Sequence, residues 1–235
     1  GATGIIANEA VVKAKPDGHT LLMATSSSIA AVPHLQKISY DALNDLVPVV
    51  QVAIYPSVLV SHPSVPAKTL QDLIRIAKKR PDLLTFGSSG VGSTFHLSGE
   101  LLKQMANVKM RHVPYKGIAP ALTDMVGGHI DLLFAPYPVI RSFVGTDKLR
   151  IIAVTSLARD PLLTATPTID ESGLPGFEAS NWIGMFAPKD TSEATVKDLN
   201  EVVQRILVTP DLRTLWKDQG LSFQPNSPRE FATMV

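Results

Sequence analysis

The chain has 235 residues, 22 Lys and Arg against 21 Asp and Glu, a formal net charge of +1, and no cysteine. The charge balance argues against a general polyanion partner, so no nucleic-acid binding is expected. The missing cysteines exclude disulfides, thiol catalysis and cysteine metal sites. No apolar run approaches the ~20 residues of a membrane span, so no direct membrane insertion is expected.

The chain opens on Gly1 rather than Met, in what reads as a loop entering a helix, Gly1-Ala2-Thr3-Gly4-Ile5-Ile6. No signal peptide is visible in this stretch, and a processed or N-terminally truncated product is expected. Helical spacing runs from Ile5 to Lys13 and is closed by the turn signal Pro16-Asp17-Gly18. Thr20 to Ala24 reads as a short buried strand, followed by the polar run Thr25 to Ser28. Val47 to Val60 carries two strand-like apolar runs broken at Tyr55-Pro56. Leu70 to Lys79 is an amphipathic helix with Thr69 as its cap. The cations Lys78-Lys79-Arg80 read as a solvated helix end, where they favour the negative end of the helix dipole.

Thr85 to Leu97 reads as a strand, a glycine-rich loop and a helix start. Gly87, Gly90 and Gly92 are expected to supply left-handed backbone angles and a close approach to a ligand. Ser93 or Thr94 is the natural cap of the following helix. Free amides at such a start form an anion site. The spacing matches a phosphate-binding loop, but Ser93 stands where its lysine should be. A polyphosphate with magnesium would miss that charge, whereas a single carboxylate would not. A tight structural turn is the competing reading.

Downstream, a helix is predicted from Thr94 to Met105, a strand from Met110 to Val113, and a helix from Pro120 to Val126 ending at Gly127-Gly128. Strands follow at Ile130 to Ala135, Leu149 to Thr155 and Ser180 to Ala187. The last helices are Glu193 to Leu207, Asp211 to Gln219, and one beginning at Pro228. Such alternation argues an α/β fold with a mixed, mostly parallel sheet flanked by helices. The 18 prolines gather at connections, and Tyr55 to Pro66 and Pro175 to Pro188 read as two crossovers between lobes. The expected division is a discontinuous outer lobe, residues 1–57 with 180–235, and a middle lobe, residues 58–179, joined at hinges. Ligand loops of such sheets lie at the carboxyl ends of strands.

Motifs along nearly the whole chain carry a resemblance. They are Gly1 to Ile6 with Ala14 to Leu22, Asp72-Leu73-Ile74, and the Gly87 to Gly99 loop-helix. His112-Val113-Pro114-Tyr115-Lys116-Gly117 with Ala119-Pro120-Ala121 is the most specific. Gly127 to Asp131, Ala153 to Ser156, Pro167-Thr168 and Gly173 to Glu178 complete the set. The sequence resembles the solute receptors of tripartite tricarboxylate transporters, the Bug or TctC-like family. The resemblance implies a type II-like, two-lobed periplasmic binding protein, monomeric and without cofactor. It would close on a small organic carboxylate and deliver it to membrane permease subunits. It also implies ligand contacts at Ser88, Ser89, Gly90, Gly92, Ser93 and Thr94 in the middle lobe. Lys116, Gly117 and Ala135 match further cleft-facing segments, and Ala24, Thr25 and Ser26 match contacts of the outer lobe. A strand, glycine-containing loop and helix that precede this segment in the family are missing here. A truncated relative that does not bind is therefore an alternative.

Two enzyme classes compete. A serine hydrolase would use Ser88 or Ser89 with His96, but neither serine has the flanking glycines of a nucleophile elbow. A nucleotide-binding α/β enzyme lacks its lysine, and Phe95 stands where a dinucleotide fingerprint wants glycine. The six histidines are dispersed without metal-ligand spacing. His96 is expected to brace the loop through a backbone bond, Tyr115 and Trp182 to pack, and Asp131 to serve structure.

Overall fold

The computed structural model describes residues 4–235; of the segment Gly1 to Ile6 read above, the first three residues lie outside that range. In chain order the elements are α1 (Ile5–Val12), β1 (Leu22–Thr25), a π-helical turn (Ser27–Ala31), α2 (Val32–Leu35), β2 (Leu46–Ser61) and α3 (Leu70–Lys79). Then come β3 (Thr85–Ser88), α4 (Thr94–Ala106), β4 (Arg111–Pro114), α5 (Ile118–Val126), β5 (Leu132–Pro136) and α6 (Tyr137–Ile140). β6 (Arg150–Val154), β7 (Ser180–Pro188), α7 (Glu193–Leu207), α8 (Pro210–Asp218) and α9 (Pro228–Met234) complete the chain. The chain divides into two compact units. The first takes the chain up to Tyr55 and again from Asn181, and the second is Pro56–Ser180.

In the first unit β1 pairs antiparallel with β7, Leu22 facing Phe186 and Thr25 facing Ile183. Alternation along β1 buries Leu22 and Ala24 and exposes Met23 and Thr25, as a sheet with one packed face requires. The buried face packs on Ile29, Phe186 and Phe231. Trp182 joins this core, its ring centroid 5.4 Å from that of Phe231 in an edge-on pair. A second apolar cluster sets Val49, Val50 and Ala187 against Val196 and Leu207 of α7.

In the second unit β3 is parallel to both β4 and β5, while β2 is antiparallel to β5 and β6. The sheet is therefore mixed, with β3, β4 and β5 parallel to one another. Phe86, Phe134 and Leu132 pack on one face against α3 and α4, and Leu133, Ala135 and Val60 pack on the other against α5. The ends of α3 and α4 follow from local chemistry. Thr69 and Asp72 form a reciprocal capping box, and Ser93 caps α4 by accepting from the His96 amide at 3.2 Å. Lys78, Lys79 and Arg80 are exposed.

The structure corrects two expectations, on β2 and on Gly87. The two runs expected on either side of Tyr55-Pro56 are one strand, β2. Pro56 lies just before the β2–β5 and β2–β6 ladders, which begin at Ser57 and Val58, so neither asks for its missing N–H. The polar run Thr25 to Ser28 ends β1 and from Ser27 winds into the π-helical turn, whose Ser28 carbonyl accepts from Asn8 Nδ2 at 3.1 Å. Gly87 has no positive φ, unlike Gly90 (131°) and Gly92 (81°). It lies inside β3, where an added Cβ would come within 2.4 Å of Ile130 Cδ1, so close packing selects the glycine.

Candidate functional site

β5, β3 and β4 run parallel, so their carboxyl ends share one end of the second unit. The loop after β3 carries Ser89 to Ser93. Beside it the chain leaving β4 turns through Tyr115, whose amide donates to the Ser88 carbonyl at 3.1 Å, into Lys116, Gly117 and α5. Ala135 ends the core portion of β5 on the other side of β3. This end of the sheet thus gathers the predicted residues Ser88, Ser89, Gly90, Gly92, Ser93, Thr94, Lys116, Gly117 and Ala135. Ala24, Thr25 and Ser26 belong to the first unit, at the carboxyl end of β1.

Most donors of the glycine loop are spent on the loop itself. The Gly90 amide donates to Ser88 Oγ at 3.1 Å, and the Gly92 amide to His96 Nδ1 at 3.3 Å. The Ser93 amide donates to the Gly90 carbonyl at 3.2 Å. Ser93 Oγ donates to that same carbonyl at 2.8 Å while capping α4. His96 therefore braces the loop through a backbone bond. Ser88 Oγ stands 2.7 Å from His112 Nε2.

The unspent donors lie alongside. Ser89 is half-buried, and its hydroxyl makes no hydrogen bond among the described residues. Lys116 is exposed and likewise makes no hydrogen bond or ion pair among the described residues. α5 begins behind Gly117 (φ 148°) without a side-chain cap. Pro120, its third residue, has no N–H, so the first-turn donors are the amides of Ile118 and Ala119. The helix dipole adds partial positive charge at that point. Half-buried Thr94 is the first residue of α4, and Ala135 is fully buried in the core, leaving its backbone as the only polar part it could offer. In the first unit, Ala24 is buried and Thr25 exposed, while the buried hydroxyl of Ser26 has no hydrogen-bond partner.

The other side chains singled out from sequence have local duties. Tyr115 donates to Asp124 at 2.7 Å; its burial and that carboxylate push the phenol up to about 12. Asp131 accepts from the Thr85 amide and hydroxyl, each at 2.8 Å, tying β5 to β3. The hydroxyl a hydrolase would enlist, Ser88, pairs with His112 rather than His96 and is fully buried in β3. Sequence reasoning missed His112 and the uncapped start of α5. The second had a signal, since Gly117 precedes an apolar Ile118 with no Ser, Thr, Asp or Asn to cap the helix; the first depends on the β3–β4 register, which puts His112 opposite Phe86 and which only the fold supplies.

Comparison with known proteins accounts for this arrangement. In fold, the chain is similar to periplasmic solute-binding proteins. A solved structure titled R. palustris Rpa4515 with adipate matches with a TM-score of 0.93 and 35% identity, covering 100% of this chain and 79% of that one. MatC (Rpa3494) from Rhodopseudomonas palustris with bound malate matches with a TM-score of 0.90 and 32% identity, covering 100% and 81%. In sequence, the UPF0065 protein in the tcbD-tcbE intergenic region of Pseudomonas sp. (strain P51) is 36% identical over 235 residues, 100% of this chain and 70% of that protein. The chain spans 61–70% of the length of the first curated relatives it matches. The family model described as Tripartite tricarboxylate transporter family receptor (TctC) matches residues 1–235, and the chain belongs to that family. The family is one of transporter receptors, and other structural neighbours are titled periplasmic binding protein BugD and a TctC solute binding protein from Polaromonas. Among the described residues no helix is long and apolar enough to cross a membrane.

Proposed function

We propose that this chain is an extracytoplasmic receptor, working in the periplasm, that captures a small dicarboxylate and delivers it unchanged to the permease subunits of a tripartite tricarboxylate-type transporter. Family membership over the whole chain supports the receptor role. The bound acids named for two structural neighbours, adipate and malate, support the ligand class. The single observation that carries the reading is the unspent donor set at the carboxyl ends of β3 and β4. Ser89, Lys116 and the amides behind Gly117 are suited to one carboxylate and too few for a polyphosphate. Gly90, Gly92, Ser93 and Thr94 shape the turn that presents Ser89. Ser88 supports it from below, and Ala135 closes the floor. In the first unit, Ser26 is the proposed donor beside Ala24 and Thr25. Hydrogen bonds to a charged group contribute about 1.5–3 kcal/mol each. Loss of any one of them should therefore weaken binding roughly 10- to 150-fold.

A thermal-shift series tests the proposal, because a ligand of the native state raises the melting temperature. Adipate or malate should raise it in a saturable way, and ATP should not. Stabilisation by ATP alone, or turnover of a model ester lost on Ser88→Ala, would overturn it.

A further inference from the structure

Beneath the glycine loop three rings from three elements form a triangle. Phe86 of β3 lies 4.9 Å from His112 of β4, and His112 lies 4.1 Å from His96 of α4, centroid to centroid. The Phe86–His96 side measures 6.4 Å, with the rings nearly parallel. Each imidazole grips a different part of the loop. His112 Nε2 reaches Ser88 Oγ, and His96 Nδ1 takes the Gly92 amide.

Proton accounting fixes His96. Its Nδ1 accepts the Gly92 N–H, so it carries no proton and the ring is neutral. Ser88 Oγ accepts the Gly90 N–H at 3.1 Å and lies 2.7 Å from His112 Nε2, donating or accepting there according to the tautomer of that ring. The two histidines do not respond alike to acid. His112 with a second proton still has an N–H to offer Ser88 Oγ. A proton on His96 Nδ1 sets two donors face to face and breaks the hold on Gly92.

We propose that His96 is a positioning residue of the receptor: its unprotonated Nδ1 fixes the Gly90–Gly92 turn that presents Ser89, so that acid loosens the loop and weakens ligand capture. The inference rests on the reading of this loop as part of the carboxylate site. The charged groups facing the pair are few. On α4, Glu100 stands 3.8 Å from His96 Nε2 and favours its proton, and Lys103 opposes it. On β4, Arg111 is exposed and donates to the Asp82 carbonyl. β3 and residues 89–93 of the loop carry no titratable side chain. Burial lowers the affinity of both imidazoles for a proton, that of His112 to about 4, in keeping with neutral rings near neutral pH.

The test uses the intact chain, His96→Asn and His96→Leu, with adipate and malate as probes. Asn sets an oxygen acceptor near the place of Nδ1 and does not titrate. Calorimetric titrations from about pH 8 to about pH 5 span the histidine range. The ligand's own carboxylates titrate alike in all three proteins, so differences between the curves isolate His96. The parent should weaken more steeply in acid than His96→Asn, which should match it near neutrality. His96→Leu should bind about tenfold more weakly, the scale of one lost hydrogen bond, with no extra acid limb. Equal curves for parent and His96→Asn, or full affinity in His96→Leu, would overturn the inference. A ligand-free measurement separates the two layers. In 15N-labelled parent the Gly92 amide resonance should titrate in acid, and in His96→Asn it should not. No titration in the parent sinks the role of His96 whatever the binding data show. Titration without any effect on affinity would mean that the loop is positioned as described but is not part of the carboxylate site.

Discussion

Gly99 lies in α4 directly over Phe86, and an alanine there sets two effects of opposite sign against each other. Alanine is the better helix former, by up to about 1 kcal/mol. Its methyl group, however, would lie 2.1, 2.5 and 2.7 Å from three atoms of the Phe86 ring. That ring is fully buried and stacked against His112, so its movement away from a new methyl is restricted. Overpacking of this kind costs typically 1–3 kcal/mol, and contacts this short point to the upper end. Gly99→Ala should therefore destabilise the protein by about 2 kcal/mol net, despite the propensity gain. Phe86→Leu alone, which thins the ring and leaves a small void, should cost about 1 kcal/mol. In the double variant the new methyl occupies space the ring has left, so the loss should be smaller than that of Gly99→Ala alone. Urea denaturation followed by far-UV circular dichroism measures all four corners of the cycle. Additive losses, within the ~0.5 kcal/mol usual for independent sites, would refute the claim that ring contact selects this glycine.

Other outcomes follow from the same geometry. Asp131→Ala leaves the Thr85 amide unpaired between β3 and β5 and should cost about 1–3 kcal/mol in urea denaturation. Thr69→Ala removes the α3 cap and should cost about 1 kcal/mol, with Thr69→Ser nearly silent. Stability should also fall in acid on account of His112. Its folded form resists protonation down to about 4, whereas the unfolded chain takes the proton near 6.5; the unfolded state therefore binds more protons between these values, and stability drops as pH falls through them. His112→Gln keeps an N–H donor for Ser88 and should flatten this limb when urea midpoints at about pH 7 and about pH 5 are compared.

Elements specified by close neighbours along the chain are legible in the sequence itself. α3 is announced by Thr69 and Asp72 three residues apart, and α4 by Ser93 at the end of the glycine run. The strict motifs around His112 to Gly117 point to the receptor family, which the family match establishes. What escapes depends on partners distant in the chain. The π-helical turn at Ser27 is stabilised by Asn8, twenty residues away. Pro56 reads as a break until Leu46–Ser61 is seen as one strand whose ladder with β5 begins just after the proline, at Ser57. Gly87 reads as a turn glycine until Ile130 is seen packed against it. The candidate site shows the same limit. Sequence draws attention to the amides of Gly90 and Gly92 and anticipates the bracing bond from His96, yet only the folded loop reveals that Ser88 occupies the Gly90 amide. The available donors shift to Ser89 and the start of α5, which composition alone does not single out.

Calorimetric titration with adipate and malate tests the central claim most directly, when run on the parent, Ser89→Ala and Gly117→Val with the acid recovered afterwards for chemical identification. Gly117→Val places a branched side chain at a positive φ and blocks the α5 amides. Capture at the carboxyl ends of β3 and β4 predicts saturable binding by the parent, at least tenfold weaker in both variants, and return of the acid chemically unchanged. Undiminished binding in both variants, no binding of either acid by the parent, or a chemically altered acid would contradict it.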